Sequence, residues 1–279
     1  MRRLIILFLM LSGTYSFSMD NSLEESRWLY SGVAGLNISQ IALDNWTQGG
    51  DNALAFTLLG NFGIKYVDSP WTFSNGLKLA FGRTKLGEDN FRTNDNEFYL
   101  ESILSYSLGW ALDPYLSNTV RTVLSKGFDY KEIPAKQTSQ FFDPGYITQS
   151  IGFLYNKIPN VSTRLGIAFQ ETITNKFPFY SDDPKTTEIE KFRFDTGIES
   201  VTEALYSIEE NVLFGSKLRL FSRFNELDVW DVRWDNLITA QISKYFNVNF
   251  NVLLIYEKIQ SPKTQVKEAL QLGITYSLF

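Results

Sequence analysis

The sequence predicts an all-β protein, a transmembrane antiparallel up-and-down β-barrel of twelve strands, on three observations. Apolar and polar residues alternate with a period of two, the pattern of strands that have two different faces. The connections between these segments are mostly short and long in turn, as in outer-membrane barrels. The six tryptophans fall near predicted strand ends, where interfacial girdles lie. Trp28, Trp71 and Trp110 fall at the short-turn side, and Trp46, Trp230 and Trp234 at the loop side.

The N-terminus predicts an export signal. Arg2 and Arg3 precede the apolar run 4–11, and Ser16 and Ser18 supply the small residues that a signal peptidase reads. The apolar run is shorter than the roughly 20 residues that a spanning helix needs. Cleavage is therefore predicted after Ser18. The predicted organisation is a signal peptide at 1–18, a short periplasmic segment at 19–26 and the barrel at 27–279.

Twelve alternating segments follow the export signal in order. They lie near 27–41, 51–67, 70–84, 95–112, 115–130, 146–158, 161–175, 189–206, 211–226, 231–246, 247–259 and 265–279. Five short connections are predicted mainly from residues that favour turns. They are Asp68-Ser69-Pro70, Asp113-Pro114, Pro159-Asn160, Glu209-Glu210 and Phe246-Asn247. The longer connections include 85–94, 131–145 and 176–188. Because twelve is an even number, both termini are predicted at the short-turn, periplasmic side of the outer membrane of a Gram-negative bacterium.

The composition of the two strand faces predicts which of them points outward. One face carries large Leu, Phe, Ile and Tyr, and the other carries Gly, Ala, Ser, Thr and Asn with scattered charges. Tyr99 and Ile103 are large exceptions on the polar face. A soluble barrel would turn its apolar face inward, but twelve strands enclose an interior too wide to fill in that way. We therefore expect Leu54, Phe250 and Leu272 to face lipid.

Following the polar face inward predicts a charged lumen. The candidate lumen-lining residues are Lys65, Lys78, Glu97, Glu101, Arg121, Arg164, Arg193, Asp195, Glu199, Lys217, Arg219, Arg223, Arg233, Asp235 and Glu257. With Lys191 and Glu203, this inward set has ten cationic and seven acidic members. The cationic excess favours a small passive channel for polar or anionic solutes. The near balance fits equally well a lumen filled by paired charges, and hence a non-conducting scaffold or accessory subunit of an outer-membrane complex.

The composition argues against an enzyme. The chain has no His and no Cys, which removes the usual general base, the thiol nucleophile and two metal-ligand types. Glu97 and Glu101 are about 13 Å apart by strand rise, too far to act as a carboxylate pair. We expect no catalytic residue, no metal and no cofactor. The net charge of −5 offers no overall basic field for nucleic acid.

The C-terminal segment Gly273-Ile274-Thr275-Tyr276-Ser277-Leu278-Phe279 resembles the terminal strand that the outer-membrane assembly machinery reads. The final Phe279 matches the usual pattern. The place two residues earlier, usually aromatic, holds Ser277, and Tyr276 stands one position further back. The resemblance implies the barrel-assembly machinery as a partner, and the fold implies outer-membrane lipid and lipopolysaccharide as surroundings. A further outer-membrane partner protein stays open.

A short motif of Asn45, Trp46, Gly49 and Gly50 follows the first predicted strand, which ends near Ser39-Gln40. Here the chain resembles a Bacteroidota family of secreted β-rich proteins with an N-W-x-x-G-G signature. That family is of unknown function, so the resemblance implies location and barrel class and supplies no active site. The motif itself fits a turn with Trp46 at the interface better than a binding loop.

Overall fold

A computed structural model describes residues 27–45, 47, 50–183 and 186–279. The predicted signal peptide at 1–18, the segment 19–26, and Trp46 and Gly49 of the motif lie outside the described residues. In the described part, the helical content is one 3-10 turn at Pro178–Tyr180. No helix found there has the length and apolar character needed to cross a membrane.

The described residues form fourteen strands, and twelve of them form one closed barrel. The barrel strands are β1 (Trp28–Ile41), β2 (Ala53–Asp68), β3 (Trp71–Leu86), β4 (Arg92–Tyr106), β5 (Asp113–Thr122), β8 (Gly145–Tyr155), β9 (Val161–Ile173), β10 (Phe192–Glu209), β11 (Val212–Arg223), β12 (Trp230–Gln241), β13 (Phe246–Tyr256) and β14 (Gln265–Ser277). The remaining two, β6 (Gly127–Asp129) and β7 (Lys136–Ser139), form a small separate hairpin.

Every barrel strand pairs antiparallel with its neighbours along the chain, and β14 closes the barrel on β1. Val33 lies opposite Ser277 and Ile38 lies opposite Leu272 in this closing pair. Strand β5 pairs directly with β8, since the β6–β7 hairpin belongs to their connection. Closure leaves no strand edge with unpaired N–H and C=O groups, which hydrocarbon requires. The predicted fold class and strand number are confirmed.

The connections give the barrel two different ends. The turn end holds the connections 69–70, 107–112, 156–160, 210–211 and 242–245. The loop end holds 42–52, 87–91, 123–144, 174–191, 224–229 and 257–264. The described chain starts and ends at the turn end. The loop predicted at 85–94 is shorter than expected, because β3 continues to Leu86 and β4 begins at Arg92.

Two predicted turns and one predicted strand end are wrong. Phe246 begins β13, and the turn precedes it, where the Ser243 hydroxyl accepts the backbone N–H of Phe246 at 3.2 Å. Asp113 begins β5, and its buried carboxylate accepts the backbone N–H of Leu108 at 3.1 Å across the turn. Strand β5 ends at Thr122. These errors arise because polar side chains hold turns that residue types alone place a few positions away.

The two faces of the barrel are arranged as the pattern predicts. Leu54, Phe250 and Leu272 are 36%, 40% and 48% exposed on the outside. Thr57 and Asn247, by contrast, are 2% and 1% exposed within the barrel wall and lumen. Apolar side chains therefore cover the exterior as they do in barrels that cross a membrane. This exterior, together with complete strand closure, makes the protein a transmembrane β-barrel.

Four aromatic and aliphatic positions refine this arrangement. Ile103 points inward as predicted and packs with Tyr115 and Leu154 in a small buried cluster. Trp28 and Trp71 begin their strands at the turn end. Trp234, however, lies four residues inside β12 and not at a strand end.

Candidate functional site

Four charged side chains meet in the middle of the lumen, and we call them the central cluster. Glu101 binds Arg164 at 2.6 Å and Lys217 at 2.8 Å. Glu203 binds Lys217 at 2.8 Å and Arg164 at 3.7 Å. The Lys217 ammonium also donates to the phenol oxygen of Tyr99 at 2.9 Å. All four charged side chains are buried or nearly so.

The central cluster joins distant parts of the barrel wall. Glu101 lies on β4, and Lys217 lies on β11, five strands away in a barrel of twelve. Strand alternation turns both side chains inward. Their ion pair therefore crosses the lumen. Low solvent access strengthens such a pair, but each ion loses hydration when it is buried.

A second group, which we call the bridging cluster, lies beside the first. Arg233 binds Glu97 at 2.5 Å, and Lys78 binds Glu97 at 3.2 Å. Lys78 also binds Asp235 at 3.1 Å. Glu97 on β4 and Arg233 on β12 are six strands apart, the largest separation that twelve strands allow. Opposite walls of the barrel are thus joined by a direct ion pair.

Two further ion pairs cross the lumen towards the loop end. Arg121 on β5 binds Glu257, which follows β13, at 3.2 Å, and its guanidinium lies 4.5 Å from the Tyr146 ring centre. Lys267 on β14 binds Asp95 on β4 at 3.0 Å. The Lys267–Asp95 pair is more exposed than the clusters below it, with side chains 40% and 26% exposed.

The remaining candidate charges form a ladder along one wall. Arg219 binds Glu199 at 2.7 Å and donates to Gln170 at 3.0 Å. Nearer the loop end, Asp195 lies 2.9 Å from Arg193 and 3.2 Å from Arg223. Arg223 also binds Asp231 at 2.7 Å. The ladder links neighbouring strands from β9 to β12, so it stiffens the wall without crossing the lumen.

The adjoining wall, formed by β13, β14 and β1, carries uncharged amides, which we call the amide cluster. Asn249 donates to Asn37 at 3.2 Å and to Asn247 at 2.7 Å, and Asn37 donates to Gln271 at 3.0 Å. The cluster sits against Gly273, where a β-carbon would overlap the Asn247 side-chain oxygen. The missing side chain at Gly273 therefore makes room for the cluster.

Three cavities follow one another through the lumen. A cavity of about 280 Å³ opens at the loop end beside Tyr146 and Gln260. A cavity of about 510 Å³ lies next to it against the amide cluster. A third, of about 100 Å³, is bordered by Lys65 and the bridging cluster. The first two share Asp95, Glu97 and Lys267, and the last two share Asn61, Lys78, Glu97 and Asp235.

The structure brings the predicted charged candidates together inside one barrel. Most of these candidates take part in the ion pairs described above, and Lys65 borders the cavity of about 100 Å³. Of the loop motif, Asn45 and Gly50 have positive φ values of 55° and 118°, as a turn requires. Trp46 and Gly49 lie outside the described residues.

Several lumen residues were not singled out from the sequence. Asp95 and Lys267, which border the cavities of about 510 Å³ and 280 Å³, are not among the predicted residues. The predicted lumen-lining set also omits the amides of β13, although Asn247, Asn249 and Asn251 alternate strictly with apolar residues. This alternation indicates that the three Asn side chains face the lumen, as it does for charged residues.

The loop between β9 and β10 has its own polar network outside the spanning strands. The Glu190 carboxylate accepts the Thr186 hydroxyl at 2.5 Å and the Asp183 backbone N–H at 3.1 Å. These hydrogen bonds, the Thr186 hydroxyl first, lower the pKa of Glu190 to about 2. Burial raises the pKa of Tyr180, which borders the loop-end cavity. Among the described residues, no group of three or more Asp or Glu is placed to hold a metal ion.

The geometry thus defines a membrane barrel with a charged, ion-paired lumen. Residues 38–128, less than half of the chain, match a family described as "Protein of unknown function (DUF3078)". The match supports an uncharacterised family. No curated protein matches the chain.

Solved structures of outer-membrane barrels are similar over most of the chain. The translocator domain of the autotransporter NalP from Neisseria meningitidis is 8% identical with a TM-score of 0.39, covering 88% of each chain. An outer membrane channel from Pseudomonas putida F1 is 11% identical with a TM-score of 0.39, covering 89% of this chain and 94% of that one. The strand pairing and the apolar exterior described above define the class of protein.

Proposed function

We propose that the protein is an outer-membrane channel for small polar solutes, with a weak preference for anions. The observation that carries the proposal is the series of three cavities that share lining residues from the loop end down to the central cluster. Side chains alone separate these cavities at Asp95–Lys267 and at the bridging cluster. A barrier made of mobile side chains can open without unfolding a strand.

The charges along the cavities support a weak selectivity. Seven cationic residues line them against six acidic ones. The cations are Lys65, Lys78, Arg121, Lys217, Arg219, Arg233 and Lys267, and the acids are Asp95, Glu97, Glu101, Asp235, Glu257 and Glu268. A pore with rings of both signs discriminates little between small ions. The solutes must be small, because ion pairs narrow the path at each junction.

Planar-bilayer recording of the full chain tests the proposal. We expect small single-channel steps, and a larger conductance in the double variant Glu97→Ala, Arg233→Ala, because the pair that joins opposite walls is gone. Because both partners are removed together, neither Glu97 nor Arg233 is left as an uncompensated buried charge. Under a KCl gradient, we expect a reversal potential shifted slightly towards that of chloride.

The matched control removes a pair that lies along the wall. The double variant Arg223→Ala, Asp231→Ala breaks a 2.7 Å ion pair between neighbouring strands, so conductance should stay at the unaltered value. Folding of every variant is checked by heat-modifiable electrophoretic mobility. Absence of channel events both in the folded native protein and in the Glu97, Arg233 variant would reject the channel.

A second candidate, a non-conducting scaffold or accessory subunit of an outer-membrane complex, is favoured by one observation. Ion pairs join opposite walls at several levels, including Glu97–Arg233 and Arg121–Glu257. Ion pairs across the lumen would hold the barrel rigid and leave no open path through it. Extraction in mild detergent would then recover a stoichiometric partner protein, and the bridging-cluster variant would remain silent in bilayers.

The location and assembly route are part of the same proposal. We infer export by the signal at 1–18, periplasmic termini, insertion beside lipid and lipopolysaccharide, and reading of the strand that ends in Phe279 by the assembly machinery. The exposed ring of Phe279 packs against Gly32 on the outer face of β1. Deleting Phe279 should lower the yield of assembled barrel, and a C-terminal tag should be protected from added protease in intact cells.

A further inference from the structure

Four polar side chains form a transverse row on the outer surface of the barrel. The row consists of Asn75 on β3, Ser102 on β4, Asn118 on β5 and Gln149 on β8. Each member lies directly opposite the next in the strand register. The row ends on both sides at apolar residues, Ile64 on β2 and Phe169 on β9.

Strand alternation places this row on the exterior. Ser102 lies between Glu101 and Ile103, which are both buried on the lumen side. Gln149 lies between Thr148 and Ser150, which are likewise buried. Because successive side chains point to opposite faces of a strand, the row members point away from the lumen.

The row lies within the apolar band of the exterior. Two positions away along each strand, in both directions, the outward residue is apolar. These residues are Phe73 and Leu77, Leu100 and Leu104, Leu116 and Val120, and Ile147 and Ile151. The aromatic pair Trp71 and Tyr106, which marks the turn-end girdle, is four residues from the row, about 13 Å along the strand. The row is therefore at hydrocarbon depth.

The hydrogen-bonding capacity of the row is only partly used. Asn75 donates to the Ser102 hydroxyl at 2.7 Å, and Gln149 donates to the Asn118 oxygen at 3.5 Å. Within the described residues, the amide nitrogen of Asn118 and the amide oxygens of Asn75 and Gln149 have no hydrogen-bond partner. Lipid chains offer no donor or acceptor, so unpaired amides at this depth are costly.

On the opposite wall, an outward amide has its oxygen paired locally, although its nitrogen has no hydrogen-bond partner among the described residues. The Ser216 hydroxyl donates to the Asn236 oxygen at 2.8 Å, and the Trp234 indole N–H donates to Ser216 at 2.9 Å. This group lies on β11 and β12, and β12 is six strands from β4. It gives a matched control, since Asn236 is also an outward asparagine between apolar neighbours.

We propose that the face formed by β3, β4, β5 and β8 is an interface between two copies of this chain in the membrane. Two copies inserted in the same direction carry each row member at the same depth as its counterpart, so the two rows meet where they cross at a two-fold axis along the membrane normal. Amide and hydroxyl groups both donate and accept, so the row is self-complementary. A different partner would need its own polar groups at that depth.

Disulfide cross-linking in intact membranes tests the interface. The chain has no Cys, so Asn75→Cys, Ser102→Cys, Asn118→Cys and Gln149→Cys each introduce the one thiol of the molecule. We expect mild oxidation to convert at least one of these variants to a species of twice the monomer mass, and to leave Asn236→Cys monomeric. No dimer at any of the four positions, or equal dimer from Asn236→Cys, overturns the proposal.

A second measurement uses the chain without introduced thiols. The native protein in mild detergent should have the mass of a dimer by light scattering. The triple variant Asn75→Leu, Asn118→Leu, Gln149→Leu should remain folded and lose the dimer, whereas Asn236→Leu should keep it. A triple variant that stays dimeric contradicts the assignment, as does a thiol variant that couples to a different protein. Both readouts are independent of conduction.

Discussion

Buried polar side chains find their partners in different ways on the two sides of the lumen. On the charged side, Glu101 and Lys217 come from strands five steps apart and bind at 2.8 Å. On the amide side, Asn37 on β1 binds Gln271 on β14 and Asn249 on β13, which are the next two strands around the barrel. Both sides pair buried polar side chains with one another, but only the charged side crosses the lumen.

Side-chain length explains the difference. Lys and Arg extend a charged group several bonds from the backbone, so they reach the opposite wall, whereas Asn cannot. The 510 Å³ cavity accordingly lies against the amides. The ion pairs of the charged side obstruct the lumen, whereas the short side chains of the amide side leave the cavity open. Substitutions on each side, at Glu101 in the central cluster and at Gly273 beside the amide cluster, test this comparison.

The largest effect is expected from Glu101→Ala in the central cluster. Arg164 and Lys217 would then share Glu203 alone, which leaves buried positive charge without compensation. We expect the free energy of unfolding to fall by about 3–5 kcal/mol. Denaturant titration of the barrel in phosphatidylcholine vesicles measures it.

Lys267→Ala provides the control for this variant. The Lys267–Asp95 pair also crosses the lumen, but its side chains are 40% and 26% exposed. Water screens such a pair, so its loss should cost about 0–1 kcal/mol. Equal losses in the two variants would show that burial is not what distinguishes the central cluster.

A smaller effect is expected from Gly273→Ala on the amide side. The added β-carbon would overlap the Asn247 oxygen and lie 2.7 Å from the Asn249 amide nitrogen. We expect a loss of about 1–3 kcal/mol in the same titration, because the cluster must shift or lose hydrogen bonds. Gly76→Ala is the control, since a β-carbon there meets nothing within 4 Å. A Gly273→Ala protein as stable as the control would contradict the packing described here.

The smallest effect concerns the carboxylate of Glu190, in the loop between β9 and β10 and outside both sides of the lumen. The pKa of Glu190 falls from 4.5 to about 2, so its hydrogen bonds stabilise the loop above pH 4.5. That contribution declines below pH 4.5 and is lost as the pH falls through about 2. Carbon-13 NMR titration of the Glu190 carboxyl should show the low midpoint, and Thr186→Val should raise it. An ordinary midpoint in the native protein would disprove the network.

Much of the fold could be predicted because alternate residues of each strand in a membrane barrel face lipid and lumen, so the two faces differ in composition. The outward position of Leu54, Phe250 and Leu272 follows from period two and from the width of a twelve-stranded interior. Turn positions followed less well. Asp113 and Ser243 hold their turns through side-chain hydrogen bonds, whose geometry is not visible in residue order.

The sequence by itself determined the barrel, the inward charges and their near balance, since each of these depends only on local alternation and composition. Tertiary structure alone decided which charges meet. Glu97 and Arg233 are 136 residues apart and face each other only because closure puts β4 opposite β12. Closure likewise set Asn75, Ser102, Asn118 and Gln149 in one row, because lateral register is fixed by pairing between strands.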